Sequence, residues 1–487
     1  MSFASFEFAV FALIVLAARR LCRTRTADNW LLLLASFAFY ATWSPQAVVL
    51  IVGVSLVDYH VGRKLAAAES VGVRRRWLGV SLTTNLGLLG FFKYTNFLLA
   101  NAGWGARWFG VDTSGWRFDI VLPVGISFFT FKSMSYTLDV YRRTIQPCGS
   151  VRDYLLFVSF FPQLLAGPIA RASTLLPQLA TRVRASAVEV ESGLAQFGLG
   201  LLKKVVIADQ VASHVDLIFA APGQFDALTL VQGAFGYAIQ IYCDFSGYSD
   251  MAIGAARVMG YRTPENFQMP YAATDITDFW RRWHISLSSW LRDYLFLPLA
   301  YSLSRRMPDE RYAGIRVDVA IYIISILVTF SVCGLWHGAS WTFVLWGLLH
   351  GTALAVHRAW RLWSPSRWRA QRRWSRLGRQ VSSRFATLGI VLVGWILFRA
   401  DSLHSAWLYL ARIAVWESGG TRLPSPYIIP ACIAVVAVHV LTRRDANWAE
   451  DIPRQPLTVR ILSYASVVFL IASLGATEAV PFIYAQF

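Results

Sequence analysis

Charge is scarce in this chain, and acidic charge is scarcest. Only 15% of its 487 residues are Asp, Glu, Lys or Arg, with 28 acidic residues against 46 basic ones. An ordinary soluble domain carries about 25% charged residues. With 56% hydrophobic residues and a mean hydropathy of +0.46, the chain does not read as a string of soluble domains. Cysteine is scarce as well. Cys22, Cys148, Cys243, Cys333 and Cys432 are scattered and form no Cys-x-x-Cys pair, which argues against a disulfide framework and a structural zinc. Three phosphate and nucleophile motifs are missing: G-x-x-x-x-G-K-[ST], G-x-G-x-x-G after a strand, and G-x-S-x-G. ATP hydrolysis, dinucleotide redox and serine-elbow hydrolysis therefore have no support.

What is present is a series of apolar runs from end to end. Spanning candidates lie near 3–18, 29–43, 46–62, 77–92, 120–138, 153–169, 194–219, 228–258, 317–336, 341–357, 384–398, 427–441 and 460–477. Some are short, so about 10 to 12 true crossings are expected. The expected fold is an all-α polytopic membrane protein, a single integral membrane domain over 1–487. Residues 161–190 mix prolines, glycines and basic residues and are expected to dip into the membrane rather than cross it.

The net charge of +18 sits mostly at the ends of these runs. That is a positive-inside and headgroup-contact pattern, so lipids are the expected partner and nucleic acid is not. Ser2 to Ala18 has no basic residue before it and is followed by Arg19, Arg20, Arg23 and Arg25. This order predicts a first spanning helix with its N-terminus outside, not a cleavable signal. Arg63, Lys64, Arg74, Arg75, Arg76, Arg142 and Arg143 fall on the cytoplasmic side in the same scheme, and loop 93–119 faces out. Segment 358–384 holds nine arginines, no acid, and Trp360, Trp363, Trp368 and Trp374. It reads as an interfacial loop or as an exposed cytoplasmic one, with a docking face for an acidic carrier protein as a third reading.

Three constellations carry candidate chemistry. In 274–299, Trp280, His284, Leu287 and Leu291 would share one face of a single amphipathic helix, capped near Thr274, Asp275 and Thr277 and ended by Pro298. His284 would point with the apolar residues, flanked by Trp283 and Arg282. In 331–351, Trp336 and His337 stand where two apolar runs meet, among Gly334, Gly338, Ala339 and Ser340, which permit a helix break or close packing. His350 and His357 follow; His357 would snorkel at the end of its span. In 228–258, Tyr242, Asp244 and Asp250 place two carboxylates in one apolar run, with Asp244 expected to pair with an arginine of 281–292. Those carboxylates are six apart with no histidine at helical spacing, so no metal site is expected. On spacing alone, each histidine fits a buried structural role as well as a catalytic one.

Longer stretches resemble a known family. Trp280-Arg-Arg-Trp-His284-Ile-Ser-Leu-Ser-Ser-Trp-Leu-Arg-Asp-Tyr294, Asp244-Phe-Ser-Gly-Tyr-Ser-Asp-Met-Ala-Ile253 and Leu335-Trp-His337-Gly338 are similar to the membrane-bound O-acyltransferases, in their bacterial alginate O-acetylation branch. Phe91-Phe-Lys-Tyr-Thr-Asn-Phe97, Leu122-Pro-Val-Gly-Ile-Ser-Phe-Phe-Thr-Phe131, Phe161-Pro-Gln-Leu-Leu-Ala-Gly-Pro168 and Pro481-Phe-Ile-Tyr-Ala-Gln-Phe487 add to the likeness. The resemblance implies a helical bundle around a central tunnel. Its core would cover about 90–357, followed by the 358–384 loop and C-terminal helices in 385–487. It implies His337 as catalytic histidine and His284 as a second functional one, with Trp336, Trp283, Asp244, Tyr242, Asp250 and Arg282 lining the tunnel. It implies no tightly bound cofactor, and an acyl-CoA or acyl carrier protein thioester as donor. The acyl group, most simply acetyl, would pass to an extracytoplasmic hydroxyl at a bacterial inner membrane, directly or through a periplasmic acyltransferase- or esterase-like partner. A transporter or flippase, or a scaffold, using the histidines with Asp244 and Asp250 as a polar relay is the competing reading. The transporter reading predicts inverted repeats, and none is visible.

Overall fold

The computed structural model describes residues 1–312, 314–363, 373–441, 448–476 and 480–483. Four helices open the chain: α1 (Phe6–Leu21), α2 (Arg25–Ala41), α3 (Pro45–Ala67) and α4 (Val71–Leu89). Serine or threonine starts the first three. Ser5, Thr24 and Ser44 each accept a hydrogen bond from a backbone N–H three residues on, an N-cap contact of about 1 kcal/mol. A π turn, Gly90–Tyr94, joins α4 to α5 (Thr95–Arg107).

The middle of the chain holds α6 (Ile126–Tyr141), α7 (Val151–Ser159), α8 (Phe161–Leu164), α9 (Ala172–Leu179) and α10 (Ala187–Leu202). A second π turn, Lys203–Ala208, continues α10 into α11 (Asp209–Ala220), and α12 (Ala227–Val258) follows. Between α8 and α9, residues 165–170 are non-helical and wholly buried. Irregular backbone of this kind is tolerated at membrane depth only where protein surrounds it.

Helix α12 is the axis of the bundle. It has 32 residues, and almost all from Gly236 to Ser249 are buried. It meets α10 at glycines. A methyl added at Gly200 would strike the Gly247 carbonyl, and one added at Gly254 would meet the Phe197 amide at 2.7 Å. Small residues let these backbones touch, the usual device for packing helices in lipid.

Next come the short α13 (Ile276–Trp280), α14 (Ile285–Leu291) and α15 (Leu297–Arg306). A two-residue hairpin, β1 (Arg311–Tyr312) with β2 (Ile315–Arg316), leads into α16 (Val317–His337) and α17 (Trp341–Trp363). The expected single helix over 274–299 is therefore corrected. The chain turns at Arg281–His284, where His284 adopts φ +44 and ends any continuous helix. Pro298 does not close a helix: α14 passes through a π turn, Arg292–Phe296, into α15, and the proline follows that turn, where the regular backbone ladder is already reset. Asp275 does cap α13, accepting from the Asp278 amide.

The C-terminal part comprises α18 (Arg373–Arg399), α19 (Leu403–Ala414), α20 (Ile428–Leu441), α21 (Trp448–Asp451) and α22 (Leu457–Leu474). Within the arginine-rich stretch, residues 364–372 lie outside the described residues, as do 484–487 of the familiar C-terminal motif. Among the described residues, four helices are long and apolar enough to cross a membrane: Pro45–Ala67, Val317–His337, Gln380–Arg399 and Leu457–Leu474; Ile428–His439 is a shorter apolar one. The most apolar stretch of Leu457–Leu474 has no buried residue, so it turns its apolar side chains outward. The molecule is an all-helical polytopic membrane protein.

Candidate active site

Helices α16 and α17 form a tight hairpin because glycine faces glycine. A methyl on Gly334 would strike the Phe343 carbonyl, and one on Gly347 the Phe330 carbonyl. The hairpin breaks where the sequence suggested: Gly338 is extended, at φ −161 and ψ 149, and α17 begins at Trp341. His337 is thus the last residue of α16, with 5% of its surface exposed. Rings wall it in, with Trp336 and Trp346 each 4.9 Å away and Phe398 at 5.2 Å.

The second histidine approaches from the α13–α14 turn. Its left-handed backbone is set by Asn266. The Asn266 side-chain oxygen accepts from the Ser286 hydroxyl at 2.8 Å and the Ser286 amide at 3.3 Å, and lies 3.0 Å from His284 Nδ1. The Ile285 amide donates to the Asn266 carbonyl at 2.9 Å. An acceptor at Nδ1 assigns the proton to that nitrogen and leaves Nε2 as the basic one in the neutral ring. The His284 ring is 6.4 Å from Trp336 and 4.7 Å from Phe245. The two histidines therefore flank the Trp336 indole, whose N–H has no hydrogen-bond partner among the described residues.

A ladder of rings leads away from this pair. Trp336 stacks on Phe131 at 5.1 Å, Phe131 on Trp290 at 3.9 Å and 2°, and Trp290 meets Tyr294 at 5.0 Å. The Trp290 N–H donates to the Phe131 carbonyl at 3.1 Å and locks the middle rung. Tyr294 lines a cavity of about 920 Å³ with Asp139, Arg142, Arg171, Asp293, Arg305 and Arg306 among its walls. That is enough room for a ligand of cofactor size. The Tyr294 ring lies between two guanidiniums, Arg142 at 5.1 Å and Arg171 at 5.3 Å. Burial pushes the Asp293 carboxyl up, but Arg292 and Arg171 outweigh it and hold the group below its ordinary range.

The other expected residues divide. Trp283 is 1% exposed and packs on Trp395 at 4.8 Å and on Phe267 at 5.0 Å, the ring next to His284. Tyr242 is buried on α12, 6.4 Å from Trp283 and under the Lys203 ammonium. Asp244 does not pair with an arginine of 281–292. Its partners are Lys204, 2.7 Å away, and the Ile483 amide at 2.9 Å. The π turn after α10 brings Lys204 to Asp244 and to Asp209, each at 2.7 Å. Asp250 pairs with Lys203 at 2.6 Å. Arg282 spends its charge on Asp278, 2.8 Å away, and on the Gln268 carbonyl. The α12 carboxylates are thus held by lysines.

Sequence reasoning named His350 without a role and His357 as snorkelling, and missed Lys93 and Tyr94 as neighbours of the site. His350 is fully buried, accepts from the Trp280 N–H at 3.3 Å, and packs 5.0 Å from Trp346, the ring that also touches His337. His357 does not simply snorkel; it lies 2.9 Å from the Thr277 hydroxyl. Lys93 donates to the Trp336 and His337 carbonyls, and the Tyr94 hydroxyl to the Leu335 carbonyl. Lys93 and Tyr94 stood in the familial stretch Phe91–Phe97, but nothing in that stretch pointed to contacts with α16.

The sequence is similar to those of known proteins. The membrane-bound O-acyltransferase family model matches residues 149–395. A protein of Azotobacter vinelandii named "Probable alginate O-acetylase AlgI" is 40% identical over 94% of this chain and 94% of its own length. The peptidoglycan O-acetyltransferase of Helicobacter pylori is 36% identical over 77% of this chain and 71% of its own. The teichoic acid D-alanyltransferase of Bacillus subtilis is 27% identical over 59% and 71%.

Proposed function

The chain belongs to the membrane-bound O-acyltransferase family, and on that premise we propose that it carries an acetyl group from a cytoplasmic thioester to a hydroxyl of an extracytoplasmic polysaccharide. The relatives above are named as a probable alginate O-acetylase, a peptidoglycan O-acetyltransferase and a teichoic acid D-alanyltransferase, so a polymer acceptor is the shared element. The donor is acetyl-CoA or an acetylated carrier protein. It enters through the arginine-lined cavity, and the acyl end lies along the ring ladder toward His337.

His337 acts as general base. It takes the proton from the acceptor hydroxyl, or from that of a relay protein, while the oxygen attacks the thioester carbonyl. The tetrahedral intermediate then breaks its C–S bond, and the thiolate leaves with a proton returned from the imidazolium. General-base catalysis is worth about 10²–10⁴-fold. The carbonyl oxygen gains charge in this step and needs a donor. The Trp336 indole N–H supports that role, since it has no other partner among the described residues. The apolar walls exclude water and protect the thioester from hydrolysis. His284 completes the pocket across Trp336, either as a second proton-transfer group or as its lining.

The observation that carries this reading is the placement of His337: buried, at a helix break, and joined by stacked rings to a basic cavity. The orientation follows the basic clusters. Arg19 reaches the Met259 carbonyl and Arg25 the Ala180 carbonyl, so the first cluster shares one end of the bundle with these loops. We assign that end to the cytoplasm, the N-terminus to the outside, and the protein to the bacterial inner membrane. A periplasmic acyltransferase- or esterase-like partner fits a polymer acceptor.

The test uses inverted membrane vesicles bearing the chain, with radiolabelled acetyl-CoA added outside and alginate trapped inside. Label on the trapped polymer is expected. Label that appears only when acetyl-CoA shares the alginate's compartment would overturn the proposed direction.

A further inference from the structure

The C-terminal end of a helix leaves four carbonyls without intrahelical donors. In α16 these belong to Gly334, Leu335, Trp336 and His337, and all four are accounted for. The Gly338 amide donates to the Gly334 carbonyl at 3.3 Å. The Tyr94 hydroxyl donates to Leu335 at 2.8 Å. The Lys93 ammonium donates to Trp336 at 2.5 Å and to His337 at 2.9 Å. Three of the four are therefore closed by two consecutive residues from 241 to 244 positions earlier in the chain. An unbroken α-helix at this point would place residues 93 and 94 on different registers; the π turn Gly90–Tyr94 resets them, a device frequent at functional sites.

We propose that Lys93 is a positioning residue for the acyl transfer, holding the His337 imidazole and the Trp336 indole in place through their own backbone carbonyls, with Tyr94 as its support. This rests on the assignment of His337 as the base. The chemistry suits the task. An ammonium offers three donors on a compact centre, so one group closes two carbonyls. Its charge complements the negative end of the helix. The next residue, Gly338, is extended and closes only the Gly334 carbonyl, so without Lys93 the Trp336 and His337 carbonyls lose their donor and the end of α16 is free to shift. Tryptophan and histidine would then shift against the ring ladder. A misplacement of about 1 Å at such a centre costs about 10²-fold in rate.

The experiment measures acetyl transfer from acetyl-CoA to alginate by membranes bearing the chain, normalised to folded protein by size-exclusion profile and melting temperature. Lys93→Met is expected to lower kcat about 10²-fold while KM for acetyl-CoA changes less than about threefold. Lys93→Arg, which keeps a cation, recovers part of that loss. Tyr94→Phe, which removes one neutral donor, lowers kcat by less than Lys93→Met. The double variant Lys93→Met with His337→Ala is no slower than His337→Ala alone, because both act through one group. Parental kcat in Lys93→Met, or a double variant slowed by the product of the two single effects, overturns the proposal. If His337→Ala alone keeps the parental rate, the assignment of the base fails and Lys93 has nothing to position. If His337→Ala is inactive and Lys93→Met is not, the positioning role alone fails. Should Lys93→Met yield no folded protein, Lys93→Arg and Tyr94→Phe decide: parental kcat in both overturns the proposal.

Discussion

Two polar stretches lie inside this bundle, and they are built on opposite plans. In α12, the Asp244 and Asp250 carboxyl groups are each met by a lysine from the π turn after α10. At the end of α16, His337 and His284 are titratable groups walled by Trp336, Trp346, Phe398 and Phe245. The first stretch ties helices together, with Lys204 also holding the Val480 carbonyl. The second holds imidazoles beside a ring ladder that ends in a basic cavity. An ionisable side chain in lipid marks function by default. The contrast refines that rule: a carboxylate already met by a lysine can serve as a structural tie, and the imidazoles beside the ring ladder are the proposed centre of the chemistry.

Substitutions can break this contrast. Lys204→Met leaves Asp209 and Asp244 buried without their shared cation, which should cost about 3–5 kcal/mol of stability. A large fall in melting temperature and yield is expected, with transfer per folded molecule nearly unchanged. Lost activity in a fully folded variant would move α12 into the chemistry. Trp336→Phe keeps a ring in the ladder but removes the indole N–H, and kcat should fall about 10²–10³-fold as for loss of an oxyanion donor. Unchanged kcat would show that the oxyanion is met elsewhere. Asn266→Ala removes the oxygen that Ser286 and His284 share, a loss of about 1–3 kcal/mol. It should slow transfer by roughly tenfold if His284 must be held in place, and leave the rate alone if His284 only fills space.

Much of the fold was legible because lipid imposes simple rules. Apolar runs and basic flanks identify helices locally. The α16–α17 break at Gly338 was readable from small residues around His337. The parts that were not legible depend on residues far apart in the chain. His284 turns with φ +44 because Asn266, 18 residues earlier, binds the following turn. Helical periodicity over 274–299 carries no trace of that competitor, so a continuous helix was the natural reading. Asp244 was paired with the wrong cation for a similar reason. The arginines of 281–292 are nearer in the motif, but α10 packs on α12 through glycines and delivers Lys204 first. Lys93 stood in the familial stretch Phe91–Phe97, but its role was not legible because its partners are backbone carbonyls, which leave no side-chain pattern to read.

The central claim is that His337 performs the proton transfer at the closed end of α16. Its direct test is the rate of acetyl transfer per folded molecule in His337→Ala, measured with acetyl-CoA and alginate beside the parental protein. The account predicts a rate about 10²–10⁴-fold lower at an essentially unchanged melting temperature. A folded His337→Ala protein that transfers acetyl at the parental rate would contradict it.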